Sequence, residues 1–443
     1  MKKEENKMEE LVSLCKRRGF IYQGSEIYGG LAGTWDYGHL GVALKNNIRA
    51  LWWKRFVSDR EDMYGVDASI LMNQNVWKAS GHVGGFSDPL VECKKCKKRF
   101  RADHLEDKKK CPECGGELGD EKQFNMMFKT HVGATEDETS ISYLRPETAQ
   151  GMFVNFKNVM DSFHPKLPFG LAQIGKAFRN EIAPRDFTFR SREFEQMEIE
   201  YFVRPTDWKE KFEHFRSQVL EFTKDVGLTQ SKIHEHEIDP KDLAHYSKRT
   251  IDFEFDFPFG EKKELYGLAY RTDFDLSAHS AASGVDLAYF DEANKERFVP
   301  HCIEPSFGLD RTVLAVLSDA YSEDEMSGEG EKRVFMKFSP RVAPIKVAVF
   351  PLLKNKPNLV EKAREVFLNL KKVHGAGIMF DDNGNIGKRY RRQDEIGTPF
   401  CITVDFETVE KGTGVTVRDR DSGKQERIMI EELIPFLNGK MMI

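Results

Sequence analysis

The sequence predicts a mixed α/β (α+β) fold with more than one domain, and three observations support this. Two strand-like segments, one ending at Glu181 and one beginning at Arg192, are joined by a basic, turn-rich loop. Residues 299–317 pass from an apolar strand through a Pro and a Gly into a helical stretch. Strand and helix patterns alternate after Ile345, which is typical of a small α/β domain with a mostly parallel sheet. At 443 residues the chain is long enough for two or three domains.

The first pair of strands places charged and aromatic side chains on shared faces. Side chains alternate along a strand, so Arg179 and Glu181 share one face, as do Phe194, Gln196 and Glu198. Four strand residues span about 13 Å, near the distance from a nucleotide's base to a group that reacts at its α-phosphate. The hairpin could therefore hold a nucleotide. A charged, solvated hairpin with one buried Phe is the alternative, and the hairpin alone does not decide between them.

The second segment favours an anionic ligand. Residues 299–311 read Val-Pro-His-Cys-Ile-Glu-Pro-Ser-Phe-Gly-Leu-Asp-Arg and end inside a helix. A strand-to-helix junction exposes backbone N–H groups at the positive end of the helix dipole. Arg311 lies in the first turn or two, near enough to add a guanidinium to a phosphate held there. The apolar positions that follow a helical period are Leu309, Val313, Leu314, Val316 and Leu317.

These two segments match motifs 2 and 3 of class II aminoacyl-tRNA synthetases, and the chain resembles the dimeric glycyl-tRNA synthetase family in particular. Four further segments carry the resemblance: residues 144–151 (Leu-Arg-Pro-Glu-Thr-Ala-Gln-Gly), 77–82 (Trp-Lys-Ala-Ser-Gly-His), 266–273 (Tyr-Gly-Leu-Ala-Tyr-Arg-Thr-Asp) and 386–395 (Ile-Gly-Lys-Arg-Tyr-Arg-Arg-Gln-Asp-Glu). They occur in order and cover nearly the whole chain.

The resemblance implies an architecture. A class II catalytic domain, an antiparallel sheet flanked by helices, is expected over residues 1–340. Motif 1, which builds the dimer interface of this class, is expected at about 30–80, motif 2 at about 170–203 and motif 3 at about 298–318. An anticodon-binding domain is expected over residues 345–443. The acidic residues 322–331 are expected to form a loop after the motif 3 helix.

Four cysteines predict a zinc site in an insertion over residues 88–122. Cys93 and Cys96 form one CxxC pair, Cys111 and Cys114 form another, and 14 residues separate the pairs (111 − 96 − 1 = 14). Two thiolate pairs on tight turns can close a tetrahedral site, and the spacing fits a zinc ribbon. A redox pair or an incidental cluster are the alternatives. The metal would be structural, and would fold a polar segment that has little apolar core of its own.

The composition describes an ordinary globular protein, with 40% hydrophobic and 31% charged residues. No stretch reaches the apolar length of a membrane span, and the first seven residues lack the apolar core of a signal peptide. A cytoplasmic enzyme is therefore expected. The formal charge of −5 does not indicate nucleic-acid binding, so a tRNA partner would have to meet local basic patches.

The resemblance implies a two-step reaction in which ATP is a substrate. Glycine's carboxylate attacks the α-phosphate to give glycyl-adenylate and pyrophosphate, and the terminal 3′-hydroxyl of tRNA(Gly) then takes the glycyl group. Arg179, Arg311 and Glu264 are the expected catalytic residues, with Glu264 as a ligand of Mg²⁺. Arg179 would hold the α-phosphate, and Arg190 or Arg192 with Arg311 would hold the β- and γ-phosphates. The ATP-binding candidates are Arg179, Asn180, Glu181, Phe189, Arg190, Ser191, Arg192, Glu193, Phe194, Glu264, Leu265, Gly308 and Arg311.

Glycine has no side chain to grip, so specificity for it must come from exclusion. Such a pocket should surround the ammonium with acceptors and fill the space into which a methyl group would project. The resemblance assigns Glu198, Glu304 and Ser306 to the ammonium and Arg271 to the carboxylate, and Glu147 adds a further acid. The glycine-binding candidates are Arg101, Glu147, Phe194, Glu195, Gln196, Met197, Glu198, Arg271, Glu304, Ser306 and Gly308.

One basic cluster is the main candidate for tRNA contact. Its members are Lys388, Arg389, Arg391 and Arg392, around Tyr390. Alone, the cluster could be a solvated helix face. Within an anticodon-domain resemblance, phosphate or base contact becomes plausible for some of its charges. Arg418 and Arg420 are weaker candidates of the same kind.

The predicted function is that of a homodimeric glycine–tRNA ligase, and two alternatives remain. Another class IIa synthetase, for proline or threonine, is disfavoured by residues 144–151 and 304–308. The other is a catalytically inactive synthetase fold kept as a nucleic-acid-binding accessory protein. Such a protein has no reason to retain Arg179, Glu181, Phe194 and Arg311 together, and all four are present.

Overall fold

A computed structural model describes residues 2–260, 262–325 and 333–441 of the chain. The larger, N-terminal part is built on a seven-stranded sheet, and the C-terminal part on a five-stranded sheet. No helix among the residues described here is long and apolar enough to cross a membrane. The predicted mixed fold, with an antiparallel sheet in the larger part and a C-terminal α/β domain, is confirmed.

Twelve α-helices lie within the described ranges. They are α1 (Lys2–Arg18), α2 (His39–Trp53), α3 (Gln74–Ala79), α4 (His82–Gly85), α5 (Ala149–Phe163), α6 (Trp208–Asp225), α7 (Phe274–Ser283), α8 (Leu309–Ala320), α9 (Pro357–His374), α10 (Ile386–Ile396), α11 (Phe406–Glu410) and α12 (Leu433–Met441).

The strands of the N-terminal part are β1 (Ile21–Gln23), β2 (Trp35–Tyr37), β3 (Met63–Gly65), β4 (Leu71–Met72), β5 (Ser87–Glu92), β6 (Arg99–Arg101), β7 (Lys122–Asn125), β8 (Lys129–His131), β9 (Ile141–Leu144), β10 (Phe169–Phe178), β11 (Glu193–Val203), β12 (Ile233–Glu237), β13 (Arg249–Asp256), β14 (Lys262–Thr272), β15 (Tyr289–Asp291), β16 (Glu296–Phe298), β17 (His301–Gly308), β18 (Tyr321–Asp324) and β19 (Arg333–Met336). Those of the C-terminal part are β20 (Val347–Pro351), β21 (Ile378–Phe380), β22 (Phe400–Val404), β23 (Val415–Asp419) and β24 (Gln425–Ile428).

The large sheet has the strand order β12-β13-β14-β17-β11-β10-β3. Its neighbours pair antiparallel, except that β3 runs parallel to β10 at one edge. The predicted motif 2 hairpin is the β10–β11 pair. The prediction that the first strand reaches Arg179 and Glu181 was wrong, since β10 ends at Phe178. Both residues lie in the loop, where the Glu181 N–H turns back onto the Arg179 carbonyl at 2.7 Å.

The two faces of β11 differ in chemistry. Met197 and the odd-numbered residues after it join a large apolar core that also contains buried side chains of α2, α6 and α8. The opposite face carries Gln196, Glu198 and Glu200 and then Phe202, which packs in a second core with α5 and α7. Because side chains alternate along a strand, this face is polar where it forms the candidate site and apolar beyond it.

The C-terminal sheet has the order β21-β20-β22-β23-β24 and is mixed. The strands β21, β20 and β22 are parallel, while β23 and β24 add antiparallel. The prediction of a mostly parallel sheet therefore describes only its first three strands. These are linked by the crossover helices α9 and α10. Ten residues, with the short helix α11, connect β22 to β23, and five connect β23 to β24, whereas a parallel crossover needs a dozen or more.

The predicted loop at 322–331 was wrong over its first three residues. Residues 322–324 belong to β18, which pairs antiparallel with β19 across the two ends of the segment. Residues 326–331 lie outside the described ranges. The strand β19 also joins the two parts of the chain, because the Arg333 guanidinium donates to Asp394 of α10 at 3.1 Å.

Candidate active site

A cavity of about 530 Å³ lies over three neighbouring strands of the large sheet, β14, β17 and β11. Register places functional side chains side by side, with Glu198 opposite Ser306 and Ser306 opposite Gly267. Gly308 ends β17 and α8 begins at the next residue, so the predicted strand-to-helix junction is confirmed. Arg311 in the first turn of α8 faces the same cavity.

Carboxylates dominate one end of the cavity. We call this the acidic end and define it by Glu147, Glu198, Glu304 and Ser306. Glu198 is 2% exposed and accepts from the Ser306 hydroxyl at 2.8 Å. It also accepts from Gln196 Nε2 at 2.7 Å and from the backbone N–H and hydroxyl of Thr148. Burial and then the charge of Glu147 raise the pKa of Glu198 above its ordinary value.

Glu304 is held from behind the cavity wall by Arg271. The Arg271 guanidinium donates to Glu304 at 2.9 Å and to both oxygens of Asp275 at 2.8 Å. Burial raises the pKa of Glu304 to about 8, although Arg271 opposes the shift. Arg271 is 1% exposed and does not line the cavity. It therefore orients Glu304 from outside the cavity lining.

Glu147 reaches the acidic end from the segment before α5. Its carboxylate lies 3.3 Å from His82 Nε2 and accepts from Gln150 at 3.0 Å. Burial alone would raise the pKa of Glu147, but His82 and Arg271 lower it below its ordinary value. Glu147 is therefore the acid at this end whose ionised form the surroundings favour.

The four arginines of the cavity lining lie outside the acidic end, together with acids such as Glu181 and Glu264. We call this part the arginine end and define it by Arg101, Arg179, Arg190 and Arg311. Burial lowers the pKa of Arg190, and although Glu181 opposes the shift, the nearby Arg101 and Arg311 lower it further. Arg190 thus lies close enough to two other cations to feel their repulsion, and an anion beside it would relieve that repulsion.

Arg179 and Phe194 meet at this end. The Arg179 guanidinium lies 5.3 Å from the centre of the Phe194 ring and 5.4 Å from that of Phe86. Its Nε donates to the Pro146 carbonyl at 3.1 Å. The side chain is therefore supported by two aromatic rings and one backbone oxygen, and is already directed into the cavity.

Arg311 pairs with Glu264 across the junction of α8 and β14. Its guanidinium donates to the Glu264 carboxylate at 2.9 Å and lies 4.6 Å from the centre of the Phe189 ring. Arg311 lowers the pKa of Glu264. Burial and the charge of Glu264 raise the pKa of Asp252 to about 7, so a second carboxylate adjoins the pair.

Glu181 lines the cavity and has one bare carboxylate oxygen, Oε2, which forms no hydrogen bond within the described residues. The residue is 9% exposed. The nearest cation is Arg190, at 3.7 Å, which is beyond hydrogen-bond distance. A buried acceptor left without a partner costs roughly 1–3 kcal/mol, so a ligand that donates to it gains from doing so.

Most candidates line the cavity, including Phe189, Ser191, Gln196, Leu265 and Gly308. Glu195 borders it, but its carboxylate pairs with Lys45 of α2 at 2.7 Å. The structure does not bring five candidates to the cavity lining: Asn180, Arg192, Glu193, Met197 and Arg271.

Each of these outlying residues is engaged elsewhere. The Asn180 N–H donates to the Met126 carbonyl at 2.7 Å. Glu193 pairs with Lys176 on the solvent side of the hairpin. Met197 points into the core on the far face of β11. The guanidinium of Arg192 donates to backbone carbonyls, so of the two arginines proposed for the β- and γ-phosphates the geometry favours Arg190.

Sequence reasoning missed several residues that shape the site. Thr148 and His82 belong to segments that carried the family resemblance, so the signal was present but no role was assigned. Tyr246 lines the cavity and packs its ring 3.8 Å from the Arg271 guanidinium. Asp310 accepts from the Glu195 N–H at 2.5 Å and also from Lys45 and the Tyr37 hydroxyl, so it ties α2 to β11. Asp310 lies within the quoted residues 299–311, so its signal was also present, whereas no local pattern marks Tyr246.

The four cysteines of the insertion come together. Their sulfur atoms all lie within 4.8 Å of one another, with Cys93 3.6 Å from Cys114 and Cys96 3.7 Å from Cys111. A tetrahedral zinc ion with bonds of about 2.3 Å requires sulfur separations of about 3.8 Å. The cluster therefore fits such an ion. It lies beside the three-stranded sheet β6-β5-β7 and a small apolar core that includes Val91 and Leu118.

The basic cluster of α10 divides into buried and exposed members. Arg389 is 1% exposed and donates to the carbonyls of Pro351, Asp382 and Gly384. Arg392 pairs with Asp381 at 2.7 Å. Lys388 and Arg391 are exposed and border a cleft that Arg18 of α1 also lines.

Tyr390 of this cluster and the two further candidates, Arg418 and Arg420, lie inside the C-terminal domain. The Tyr390 hydroxyl lies 2.6 Å from that of Thr403, so its ring packs within the domain. The Arg418 guanidinium donates to Asp394 at 2.8 Å. Arg420 donates to the carbonyls of Gly397 and Phe338. Arg418 and Arg420 are buried, and their positions do not support the tRNA contact considered for them.

Two family profiles match the chain. The class II core domain of tRNA synthetases (G, H, P, S and T) matches residues 128–320, which contain the sheet strands under the cavity. The anticodon binding domain matches residues 346–440, which contain the five-stranded sheet.

Curated relatives align over almost the entire chain. A protein of Clostridium acetobutylicum is 51% identical, and the alignment covers 99% of this chain and 100% of the relative. Relatives from Lachnospira eligens and Thermobifida fusca are each 50% identical, over 98% of this chain and 99% and 98% of the relatives. All three carry the name glycine–tRNA ligase.

Proposed function

Because this chain belongs to the glycine–tRNA ligase family of class II synthetases, we propose that its cavity binds glycine at the acidic end and ATP at the arginine end. The activity is the ATP-dependent attachment of glycine to tRNA(Gly).

The observation that carries this assignment is the division of charge within one cavity. Glu147, Glu198 and Glu304 line one end of the cavity, and four arginines line the other, where burial and the nearby Arg101 and Arg311 lower the pKa of Arg190. Glycyl-adenylate has the complementary form, with an ammonium at one end and a phosphate beyond it. Phe194 and Glu198, four residues apart on β11, are separated by about 13 Å, which spans such a molecule.

At the arginine end, Arg179 would hold the α-phosphate, and Arg190 and Arg311 the β- and γ-phosphates. Phe194 would stack on the adenine, and the bare oxygen of Glu181 would accept from its 6-amino group. Glycine's carboxylate then attacks the α-phosphate, and the bond to pyrophosphate breaks. The arginines offset the charge that develops on the phosphate oxygens, and they are already in place when the reaction begins.

Mg²⁺ would complete the charge balance. Glu264 and Asp252 offer the hard oxygen ligands that Mg²⁺ takes in small numbers beside phosphates, and both line the arginine end. When bound, the ion would neutralise phosphate charge. In the protein alone, Arg311 neutralises Glu264 at 2.9 Å.

At the acidic end, Glu147, Glu198, Glu304 and Ser306 would surround the glycine ammonium. The pKa values of Glu198 and Glu304 are raised in the protein alone, so a bound cation would favour their ionised forms and be bound more tightly in return. Tyr246 occupies space at the same end, close to Arg271 and Glu304. Such a filled pocket excludes larger amino acids sterically.

The test is amino-acid-dependent ATP–pyrophosphate exchange across a panel that includes glycine, alanine, serine, proline and threonine. We expect exchange with glycine and at most a trace with the others. Activation of alanine at a rate close to that of glycine would contradict the exclusion model. Exchange with none of them would favour the inactive accessory protein instead.

We propose that the four-cysteine cluster binds one structural Zn²⁺ per chain. Metal analysis of protein purified without chelator should return about one zinc per chain. Replacing both Cys93 and Cys111 with serine should expose the segment 88–122 to proteolysis and to amide exchange, because its apolar core is small. The double replacement of Cys15 and Cys401 with serine, outside the cluster, is the control for zinc content. Protein free of zinc with an ordered insertion would rule the proposal out.

For tRNA, we propose that the exposed Lys388 and Arg391 contact the anticodon arm of tRNA(Gly), whereas Arg389 and Arg392 organise their helix.

We further propose that the protein is a cytoplasmic homodimer. The seven cysteines form no disulfide, which fits a reducing compartment. The turn between β1 and β2, beside the motif 1 segment, exposes Ile27 and Tyr28 almost fully, as an interface between subunits would require. Sedimentation at twice the chain mass is the expected result.

A further inference from the structure

We propose that Arg192 is a positioning residue of the ATP site, which clamps the loop that carries Arg179 and Glu181 to the β1–β2 hairpin. This inference rests on the proposed function, because it assumes that Arg179 and Glu181 hold the nucleotide. It assigns to Arg192 and to the hairpin a role in adenine recognition without any contact between them and ATP.

The main chain of Arg192 makes the first half of the clamp. Its carbonyl accepts from the Arg179 N–H at 2.9 Å, which continues the β10–β11 pairing by one step beyond the strands. Its own N–H donates to the Gly33 carbonyl at 2.7 Å. The backbone of a single residue therefore connects the residue proposed to hold the α-phosphate with the hairpin between β1 and β2.

The side chain of Arg192 makes the second half. Nε and one terminal nitrogen donate to the Glu181 carbonyl at 3.2 and 3.0 Å, and the other terminal nitrogen donates to the Ala32 carbonyl at 2.8 Å. All three guanidinium nitrogens thus donate to backbone oxygens, and Arg192 lies outside the cavity lining. A planar fork of this kind holds two carbonyls at a defined separation, which a lysine cannot do.

Arg192 also restrains the backbone of Glu181, the residue with the bare carboxylate oxygen. A buried carboxylate oxygen can read the adenine amino group only if its backbone is held in place. Glu181 lies beyond the end of β10, so no sheet pairing holds it there. The two hydrogen bonds from Arg192 to the Glu181 carbonyl supply that restraint.

Gly33 shows how closely the hairpin approaches the loop. A Cβ added at Gly33 would lie 2.7 Å from Pro184 and 3.3 Å from Cγ of Arg192. Gly33 also has a φ of +75°, a conformation that other residues rarely adopt. A methyl group at this position would therefore push Pro184 and Arg192 away from the hairpin without changing any charge.

The side chain is tested with Arg192→Gln and Arg192→Lys in ATP–pyrophosphate exchange. Losing the clamp should raise the KM for ATP about 5- to 30-fold in Arg192→Gln, with a smaller rise in Arg192→Lys, while the KM for glycine stays within about twofold. The preference for ATP over purine riboside triphosphate, which lacks the 6-amino group, should shrink. Equal rises in both KM values, or an unchanged preference, would overturn the proposal.

The hairpin is tested with Gly33→Ala against Gly29→Ala. Gly29 lies in the same hairpin with a φ of +88°, but a Cβ there would meet nothing within 4 Å. Both variants therefore strain the backbone alike, and only Gly33→Ala displaces the clamp. We expect the ATP-selective defect in Gly33→Ala alone. This comparison decides the question even if Arg192→Gln does not fold, and identical ATP kinetics in the two glycine variants would refute the clamp.

The outcomes also separate this inference from the proposed function. If Arg179→Ala loses exchange while Gly33→Ala keeps the ATP kinetics of Gly29→Ala, the ATP site stands and the clamp is wrong. If Arg179→Ala retains exchange, the site assignment itself is wrong. If Arg192 bound a phosphate directly, Arg192→Gln would raise the KM for both triphosphates equally, which contradicts the clamp.

Discussion

Arg179→Ala is expected to lower ATP–pyrophosphate exchange by about 10²- to 10³-fold, since one preorganised donor to a developing charge is typically worth about 3–4 kcal/mol. The guanidinium lies between the rings of Phe86 and Phe194 and is directed into the cavity. No carboxylate hydrogen-bonds to it within the described residues, so its removal leaves no buried charge unpaired. Stability should therefore change little while the reaction slows.

Arg311→Ala offers a less clean comparison, because it also leaves Glu264 without its partner. The matched control for Arg179→Ala is Lys176→Met, which removes an exposed cation from β10 three residues earlier. It should retain ordinary exchange. Thermal unfolding of all three variants separates a lost reaction from a lost fold. Ordinary exchange by Arg179→Ala would contradict the assignment of the α-phosphate contact.

Glu198→Gln is expected to weaken glycine binding most among the changes at the acidic end. Glu198 accepts from Gln196, from Ser306 and twice from Thr148, so all its partners are donors. A glutamine would place its own amide donors against at least one of them, besides losing the charge that faces the ammonium. Breaking a buried charge pair costs about 3–5 kcal/mol, which is a rise in the KM for glycine of about 10²-fold or more.

Two further variants test whether the change in glycine binding arises at Glu198. Ser306→Ala removes one neutral hydrogen bond, worth about 1 kcal/mol, so the KM for glycine should rise only about fivefold. Glu193→Gln makes the same chemical change at an exposed position on the same strand and should leave glycine kinetics unaltered. The KM for ATP should stay ordinary in all three. Unchanged glycine kinetics in Glu198→Gln would remove Glu198 from the proposed ammonium site.

Much of the fold could be predicted because its signals are local. The helix after Gly308, the hairpin before it and the buried strands after Ile345 all follow from the period of their apolar residues. Strand ends were less predictable. The pairing of β10 stops at Phe178, and residues 322–324 join a strand, because the partners that decide both lie elsewhere in the chain.

The site was predictable as a set of residue types in order along the chain. The sequence by itself determined that certain arginines, glutamates and one aromatic ring come together, as they do in one cavity, and that four cysteines form one cluster. These assignments depend on identity and spacing, which the chain carries directly.

Only the tertiary structure decided which member of each set faces the cavity. Arg190 and Arg192 are two residues apart and indistinguishable by type, yet one lines the cavity and the other binds backbone carbonyls. Arg271 orients Glu304 from behind the wall, and Arg389 is buried against the ends of its domain's strands. The physical reason is that a guanidinium acts on whatever acceptors surround it, and those acceptors come from segments distant in sequence that only folding brings together.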